Sequence, residues 1–138
     1  MGGLMARSAL ELSAALAARE ISAAELMRAT LDRIAAVNPG VNAIVSLRDA
    51  DALRDEARAA DAAPRKGWLH GIPVAVKNLV AVAGVRTTWG SPIHADFVPE
   101  ADALLAARLR AAGAIVIGKT NTPEFGLGSH SYNPVHGV

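Results

Sequence analysis

The feature that most constrains this chain is the run Gly71-Ile72-Pro73-Val74-Ala75-Val76-Lys77-Asn78. Ile72 to Val76 is apolar and rich in β-branched residues, with a glycine before it and polar residues after it. That pattern predicts a buried strand carrying a lysine at its C-terminal tip. Alternation puts Ile72, Val74 and Val76 on one face and Pro73, Ala75 and Lys77 on the other. Pro73 offers no ladder N–H, so it belongs at the strand's first residues or on an edge. The chain has three lysines, Lys66, Lys77 and Lys119, against eleven arginines. A lysine kept at a strand end in such a chain points to chemistry closed to a permanently charged guanidinium: a desolvated lysine can lose its proton and act as a base.

The second half of the chain continues this architecture. Leu79 to Pro99 reads as loop, punctuated by Gly84, Gly90, Pro92 and Pro99, and loops after a strand's C-terminal end are where α/β proteins build sites. Asp102 to Ala112 predicts a helix with Leu105 and Leu109 on one side, closed by Gly113 at C′. Ala114 to Ile117 predicts a second buried strand. Strand, helix, strand in that order predicts a right-handed parallel crossover. Thr122-Pro123-Glu124 reads as an N-cap with proline at the first position of a short helix, and Asn133-Pro134 breaks any element beyond it.

The first 64 residues read as packing elements. Ser8 with Glu11 and Ser22 with Glu25 each fit a capping box. Around the second, Ile21 and Leu26 form a hydrophobic staple. Leu26, Thr30, Ile34 and Val37 continue at helical spacing to a stop at Asn38-Pro39-Gly40. Asn42 to Leu47 is a strand candidate. Asp49 to Ala63 is an alanine-rich helix with Leu53, Ala57 and Ala60 on one stripe, ended by Pro64. The expected division is a helical N-terminal cover over 1–64 and the first strands and helix of an α/β core over 65–138.

Composition narrows the function classes. A net charge of +1 gives no footing for nucleic-acid or membrane binding. Zero cysteines exclude a disulfide framework and thiolate metal sites. Met1 to Ser8 lacks a signal peptide's apolar core, and no apolar run approaches the ~20 residues of a membrane span. A cytoplasmic protein is expected.

Two motifs are decoys. Gly113-Ala114-Ile115-Val116-Ile117-Gly118-Lys119-Thr120 matches the phosphate-binding expression G-x-x-x-x-G-K-[ST] letter for letter. That mechanism needs the intervening residues to form a loop, whereas here they are the predicted strand. Lys119 and Thr120 are instead expected to begin a loop. Ser129-His130-Ser131 suggests a Ser–His hydrolase, but triad partners must meet in space and no Gly-x-Ser-x-Gly elbow is present; hydroxyls satisfying a turn are the simpler expectation. His70, His94 and His136 show no metal-ligand spacing. Trp68 and Trp89 read as packing residues.

Gly71 to Asn78, then Ala83-Gly84-Val85-Arg86-Thr87-Thr88-Trp89-Gly90-Ser91, then Gly118-Lys119-Thr120-Asn121-Thr122-Pro123-Glu124-Phe125 together closely resemble the amidase signature family. The resemblance covers almost the whole chain. It implies an α/β fold with a mixed, mainly parallel sheet between helical layers, and hydrolysis of carboxylic amides through a serine acyl-enzyme, without metal or cofactor. The lysine matching Lys77 is the base of a Ser–cis-Ser–Lys triad. The residue after it is usually Asp; here it is Asn78, which removes a charge beside the base. The loop matching Gly126, Leu127, Gly128, Ser129, His130 and Ser131 lies near the substrate, which gives Gly126 to Ser129 an expected positioning role.

The resemblance also implies a small-molecule amide as partner, and allows a homodimer of the full-length enzyme. The family's two serines lie in a Gly/Ser-rich run downstream of the matched segment, and no such run occurs before Val138. The expectation is an N-terminal portion that carries the base, awaits the rest of its domain and is inactive alone. Two other readings stand beside it. One is the amidotransferase subunit that feeds ammonia to misacylated tRNA; those chains resemble Lys-Asp-Asn after the strand, whereas Asn78-Leu79 and Thr88-Trp89-Gly90-Ser91-Pro92 look more like a stand-alone amidase. The other is a non-catalytic interaction module. For the base, the physical demand is definite. An unperturbed lysine has a pKa near ~10.4, burial can lower it by ~3–5 units, and a three-unit drop must be supported by ~4 kcal/mol of surrounding structure.

Overall fold

The computed structural model describes residues 3–138; Met1 and Gly2, at the head of the segment weighed as a signal peptide, lie outside the described residues. Four α-helices, α1 (Ala9–Ala17), α2 (Ala23–Val41), α3 (Ala50–Ala62) and α4 (Leu104–Ala111), accompany three strands, β1 (Ile44–Leu47), β2 (Pro73–Lys77) and β3 (Ile115–Thr120). The sheet runs β1-β3-β2. β3 is central, parallel to β2 across the α4 crossover and antiparallel to β1. The fold is α/β with a mixed sheet between helices.

Each face of β3 has its own cluster. On one side Ile115 and Ile117 pack with Ala23, Met27 and Leu31 of α2 and Leu53 and Ala57 of α3. On the other, Val116 and Val76 pack with Val82, Val85 and Ala106 of α4. This explains the continuous apolar reading of β3, since a strand covered on both faces needs no polar alternation. Both capping boxes form: Ser8 and Ser22 accept from the backbone N–H of Glu11 and Glu25, whose carboxylates bond back. The inward stripe of α2 is Ala23, Met27 and Leu31, with Leu26 buried beside it. Thr30 instead turns its hydroxyl to the Leu26 carbonyl at 2.8 Å.

Four local expectations are corrected. α2 does not stop at Asn38-Pro39-Gly40; Pro39 lies inside its last turn. A proline there forfeits one intrahelical bond, and Asn38 supports the exit by donating to the Ile44 carbonyl and accepting from the Ile44 N–H, at 2.9 and 2.7 Å. The stop is Asn42, left-handed at φ 44°. α4 starts at Leu104 rather than Asp102, because the Asp102 carboxylate is taken by the Ala83 N–H at 2.7 Å. Leu105 is exposed, and Ala106 meets the sheet in its place. β3 runs on through Gly118, Lys119 and Thr120, where local pattern favoured a loop. The predicted helix after Pro123 is one 3₁₀ turn, Glu124–Gly126, and Thr122 bonds to the Pro123 carbonyl instead of capping it.

The extension of β3 depends on Gly118. A Cβ at that position would run into the Ser46 carbonyl oxygen, and would lie 2.9 Å from Leu47 Cα. Residue 118 therefore has to be glycine for β1 to pair. A register shift between Val74 and Ala75 leaves Ile117 unmatched, so Ala75 pairs with Gly118 and Lys77 with Thr120. The bulge reverses the alternation beyond it. Lys119 therefore emerges on the Val116 side, among the groups that pack against α4.

Candidate functional site

Lys77 is the last residue of β2, and its side chain is exposed. The strand is closed directly after it: the Asn78 N–H donates to the Thr120 carbonyl and the Val80 N–H to the Lys77 carbonyl, both at 3.0 Å. Lys77 thus stands on rigid backbone at the C-terminal end of a strand, where α/β folds gather their chemistry.

Beside it lies a buried polar network that no sequence pattern disclosed. Asn78 is fully buried, as is Thr88. Asn78 Oδ1 accepts the Thr88 N–H at 3.0 Å, and Asn78 Nδ2 donates to Thr88 Oγ1 at 2.9 Å. His136 Nε2 stands 3.2 Å from Asn78 Nδ2 and 3.0 Å from Thr88 Oγ1. Burial and the Arg86 guanidinium hold the His136 pKa below the usual imidazole value. Asn133 ties the same segment down from behind: its Nδ2 donates to Asn121 Oδ1 and the Thr122 carbonyl, and its Oδ1 accepts the N–H groups of Val135 and His136. The break expected at Asn133-Pro134 is therefore a side-chain anchor. Only the amide-and-hydroxyl richness of the two stretches hinted at it.

Gly126, Leu127, Gly128 and Ser129 lie at and just beyond the end of the 3₁₀ turn. The loop returns to the end of β2, since a Cβ on Gly126 would sit 2.9 Å from Leu79 Cδ1, two residues after Lys77. Leu127, Gly128 and Ser129 are exposed, and with Pro123, Tyr132 and Asn133 they border an open cleft. Ser129 Oγ meets the ring of its neighbour His130, Nδ1 at 3.1 Å, instead of turn backbone. The pair is exposed and, among the described residues, no carboxylate orients the imidazole, so it lacks the third member a Ser–His nucleophile needs.

The aromatic residues divide. Trp89 stacks on Phe97 with centroids 5.4 Å apart, meets His94 edge-on at 4.8 Å, and donates its indole N–H to the Leu79 carbonyl at 3.0 Å. It is a packing residue, as expected, and it joins the 79–99 loop to the 121–134 loop through the Phe125 N–H, 2.7 Å from the Trp89 carbonyl. Trp68 is 57% exposed and belongs to no core cluster, contrary to expectation. His70 is held between the Ala60 carbonyl and the Lys66 N–H. Among the described residues no group of three His, Cys, Asp or Glu side chains could hold a metal ion.

Lys119, read from sequence as the start of a loop, is the largest fully buried side chain among the described residues. Its ammonium donates to the Val80 carbonyl. Burial pushes its pKa down to about 8, with Asp102 pulling the other way. The unfolded chain then binds more protons than the folded one between about 8 and the ordinary lysine value of 10.5, so stability rises with pH across that window. We expect the unfolding midpoint to climb from pH 8 to 10.5, and Lys119→Met, which keeps the stem and removes the charge, to flatten that climb. Chemical denaturation at several pH values reads it; an unaltered slope in Lys119→Met would assign the titration elsewhere.

The model of the family described as Amidase matches residues 25–138. The chain is 45% identical to a glutamyl-tRNA(Gln) amidotransferase subunit of Acidothermus cellulolyticus, with 99% of this chain aligned to 28% of that one. It is 40% identical to an acylamidase of Rhodococcus erythropolis, over 94% of this chain and 28% of the relative. Among solved structures it superposes on the native peptide amidase from Stenotrophomonas maltophilia with a TM-score of 0.83 and 34% identity, covering 94% of this chain and 28% of that one. A substrate complex of 6-aminohexanoate cyclic dimer hydrolase gives the same TM-score of 0.83 at 30% identity, covering 96% of this chain and 27% of that one. The chain spans less than a third of the length of these relatives.

Proposed function

Because the chain belongs to the amidase family, we propose that it is the part of an amide-hydrolysing enzyme that supplies the base, Lys77, while the nucleophile comes from the remainder of the full-length protein. The observation that carries this reading is Lys77 itself: a lysine on rigid backbone at a strand's C-terminal end, with two interlocked loops converging on that end. In the proposed step a serine hydroxyl gives up its proton toward Lys77 through a bridging serine, and its oxygen attacks the amide carbon. The proton then passes to the departing amine, leaving an acyl-enzyme that water hydrolyses. Lys77 must be neutral to accept that proton. Its side chain is exposed among the described residues, so the desolvation would come from the segment that seats the serines over the end of β2. The substrate is a small carboxylic amide, with Gly126, Leu127, Gly128 and Ser129 flanking it.

The test is hydrolysis of a simple aryl amide by the full-length protein, with covalent labelling by a serine-directed probe. Labelling without partner chains supports a stand-alone amidase. Activity on glutamine alone, and only in a complex with other chains, would favour the amidotransferase reading that the Acidothermus relative's name suggests. Replacing both Ser129 and Ser131 with alanine should lower kcat/KM by less than about tenfold, because positioning through exposed loop groups is worth little beside the chemistry, and labelling should persist. Loss of labelling in a folded double variant would move the nucleophile into this loop.

A further inference from the structure

The network beside Lys77 determines the tautomer of one histidine. Thr88 Oγ1 accepts from Asn78 Nδ2 at 2.9 Å and from the Gly90 N–H at 3.0 Å, which occupies both of its lone pairs. Its one proton must therefore point to His136 Nε2, 3.0 Å away. The second Asn78 Nδ2 proton approaches the same nitrogen, at 3.2 Å. Asn78 cannot be flipped, because its Oδ1 already accepts the Thr88 N–H. His136 Nε2 is thus an acceptor facing two donors, and the ring carries its proton on Nδ1. An imidazolium would set N–H against the Asn78 amide and against a hydroxyl with no lone pair left. The ring is also held by its backbone: the His136 N–H donates to Asn133 Oδ1 at 2.8 Å, and its carbonyl accepts from Asn42 Nδ2 at 2.7 Å.

Resting on the reading of Lys77 as the base, we propose that His136 is a positioning residue for it: a neutral imidazole, accepting at Nε2, locks Asn78 to Thr88 and so fixes where β2 ends and how the Lys77 side chain leaves the sheet. Asn78 is the natural point of leverage, being next to Lys77 and bonded through its N–H to β3. Asparagine at position 78 suits this lock. Its amide donates to a neutral ring, whereas an aspartate there would draw a proton onto His136. The charged neighbours agree. Arg86, on the loop that carries Thr88, disfavours the imidazolium, and on β2 the charged neighbour of Asn78 is the cationic Lys77. The lock holds while His136 is neutral and is lost as pH falls below the ordinary imidazole value of about 6.5.

Long-range ¹H–¹⁵N NMR of the histidine rings in the full-length protein reads the tautomer directly. The expected result is an unprotonated Nε2 on His136, with the Asn78 and Thr88 amides shifting at the same acid midpoint as the ring. In activity, His136→Phe keeps the ring's shape without the acceptor and should lower kcat by about tenfold or more at little change in KM, the scale of a misplaced catalytic group. His136→Gln restores an acceptor that does not titrate; it should recover most of kcat and erase the acid limb that follows His136. A protonated Nε2 at neutral pH, or Asn78 and Thr88 amides indifferent to the ring's titration, would overturn the proposal even if His136→Phe failed to fold. Lys77→Ala, run alongside, separates the two ideas. An inactive Lys77→Ala beside a His136→Phe with wild-type kcat sinks the role of His136 alone; a fully active Lys77→Ala sinks the base, and the positioning role with it.

Discussion

Alanine at Lys77 in the full-length protein is expected to lower kcat/KM for amide hydrolysis by about 10²–10⁴-fold, the usual range for removing a positioned base. The fold should be untouched. Lys77 is exposed at the last position of β2, and its backbone, not its side chain, closes the turn to Val80. Alanine also removes the cost of desolvating an amine at that position, so the substitution is expected to leave the fold in place. Lys77→Arg should be nearly as inactive despite keeping length and charge, because a guanidinium does not release its proton at any working pH. The pair of variants makes the test sharp. Loss in both, with unchanged circular dichroism and melting, matches a base; robust turnover by Lys77→Arg would mean that the cation is used for binding, and the proton goes elsewhere.

Gly118→Ala is expected to be the most damaging single methyl group in the chain. The new Cβ would strike the Ser46 carbonyl oxygen and approach Leu47 Cα at 2.9 Å, and both are backbone atoms of β1 with little room to retreat. Overpacking costs about 1–3 kcal/mol, and a backbone held outside the ordinary region costs an alanine about 1–3 kcal/mol more. Against a total of about 5–15 kcal/mol for an ordinary domain, that is a large share. The loss should fall first on β1. Amide exchange at Ser46 and Leu47 should quicken more than at Val74 or Val76, and the denaturant midpoint should drop sharply. A midpoint within error of wild type would mean that β1 pairs with β3 less tightly than its register indicates. Since the bulge next to Gly118 also turns Lys119 toward the α4 side, the variant should weaken the high-pH climb in stability as well.

The elements themselves were legible from the chain. Ser8 and Ser22 with their glutamates marked two helix starts, Leu53 and Ala57 marked the inner stripe of α3, and the two apolar runs marked β2 and β3 as neighbours across a helix. Each of those readings needs only residues a few positions apart. Lys77 was legible too, as a lysine ending a buried run. Its role as base is a proposal that rests on the family.

Other features required partners far away in sequence. Pro39 looked like a helix stop because local preference disfavours it, yet the Asn38–Ile44 clamp lets the helix continue to Asn42. Lys119 looked like a loop residue because lysine is rarely buried; pairing of β3 with strands on both sides, and the turn of the bulge, carried it into the interior. His136 looked featureless, since its partners Asn78 and Thr88 stand 58 and 48 residues away. By itself the sequence determined which helices and strands form and which residue ends β2, though not the end of α2, the start of α4 or the extent of β3. Only the tertiary structure decided which polar side chains are buried and what they bond to, because a buried donor or acceptor must find its partner wherever the fold brings one, and sequence spacing does not record that distance.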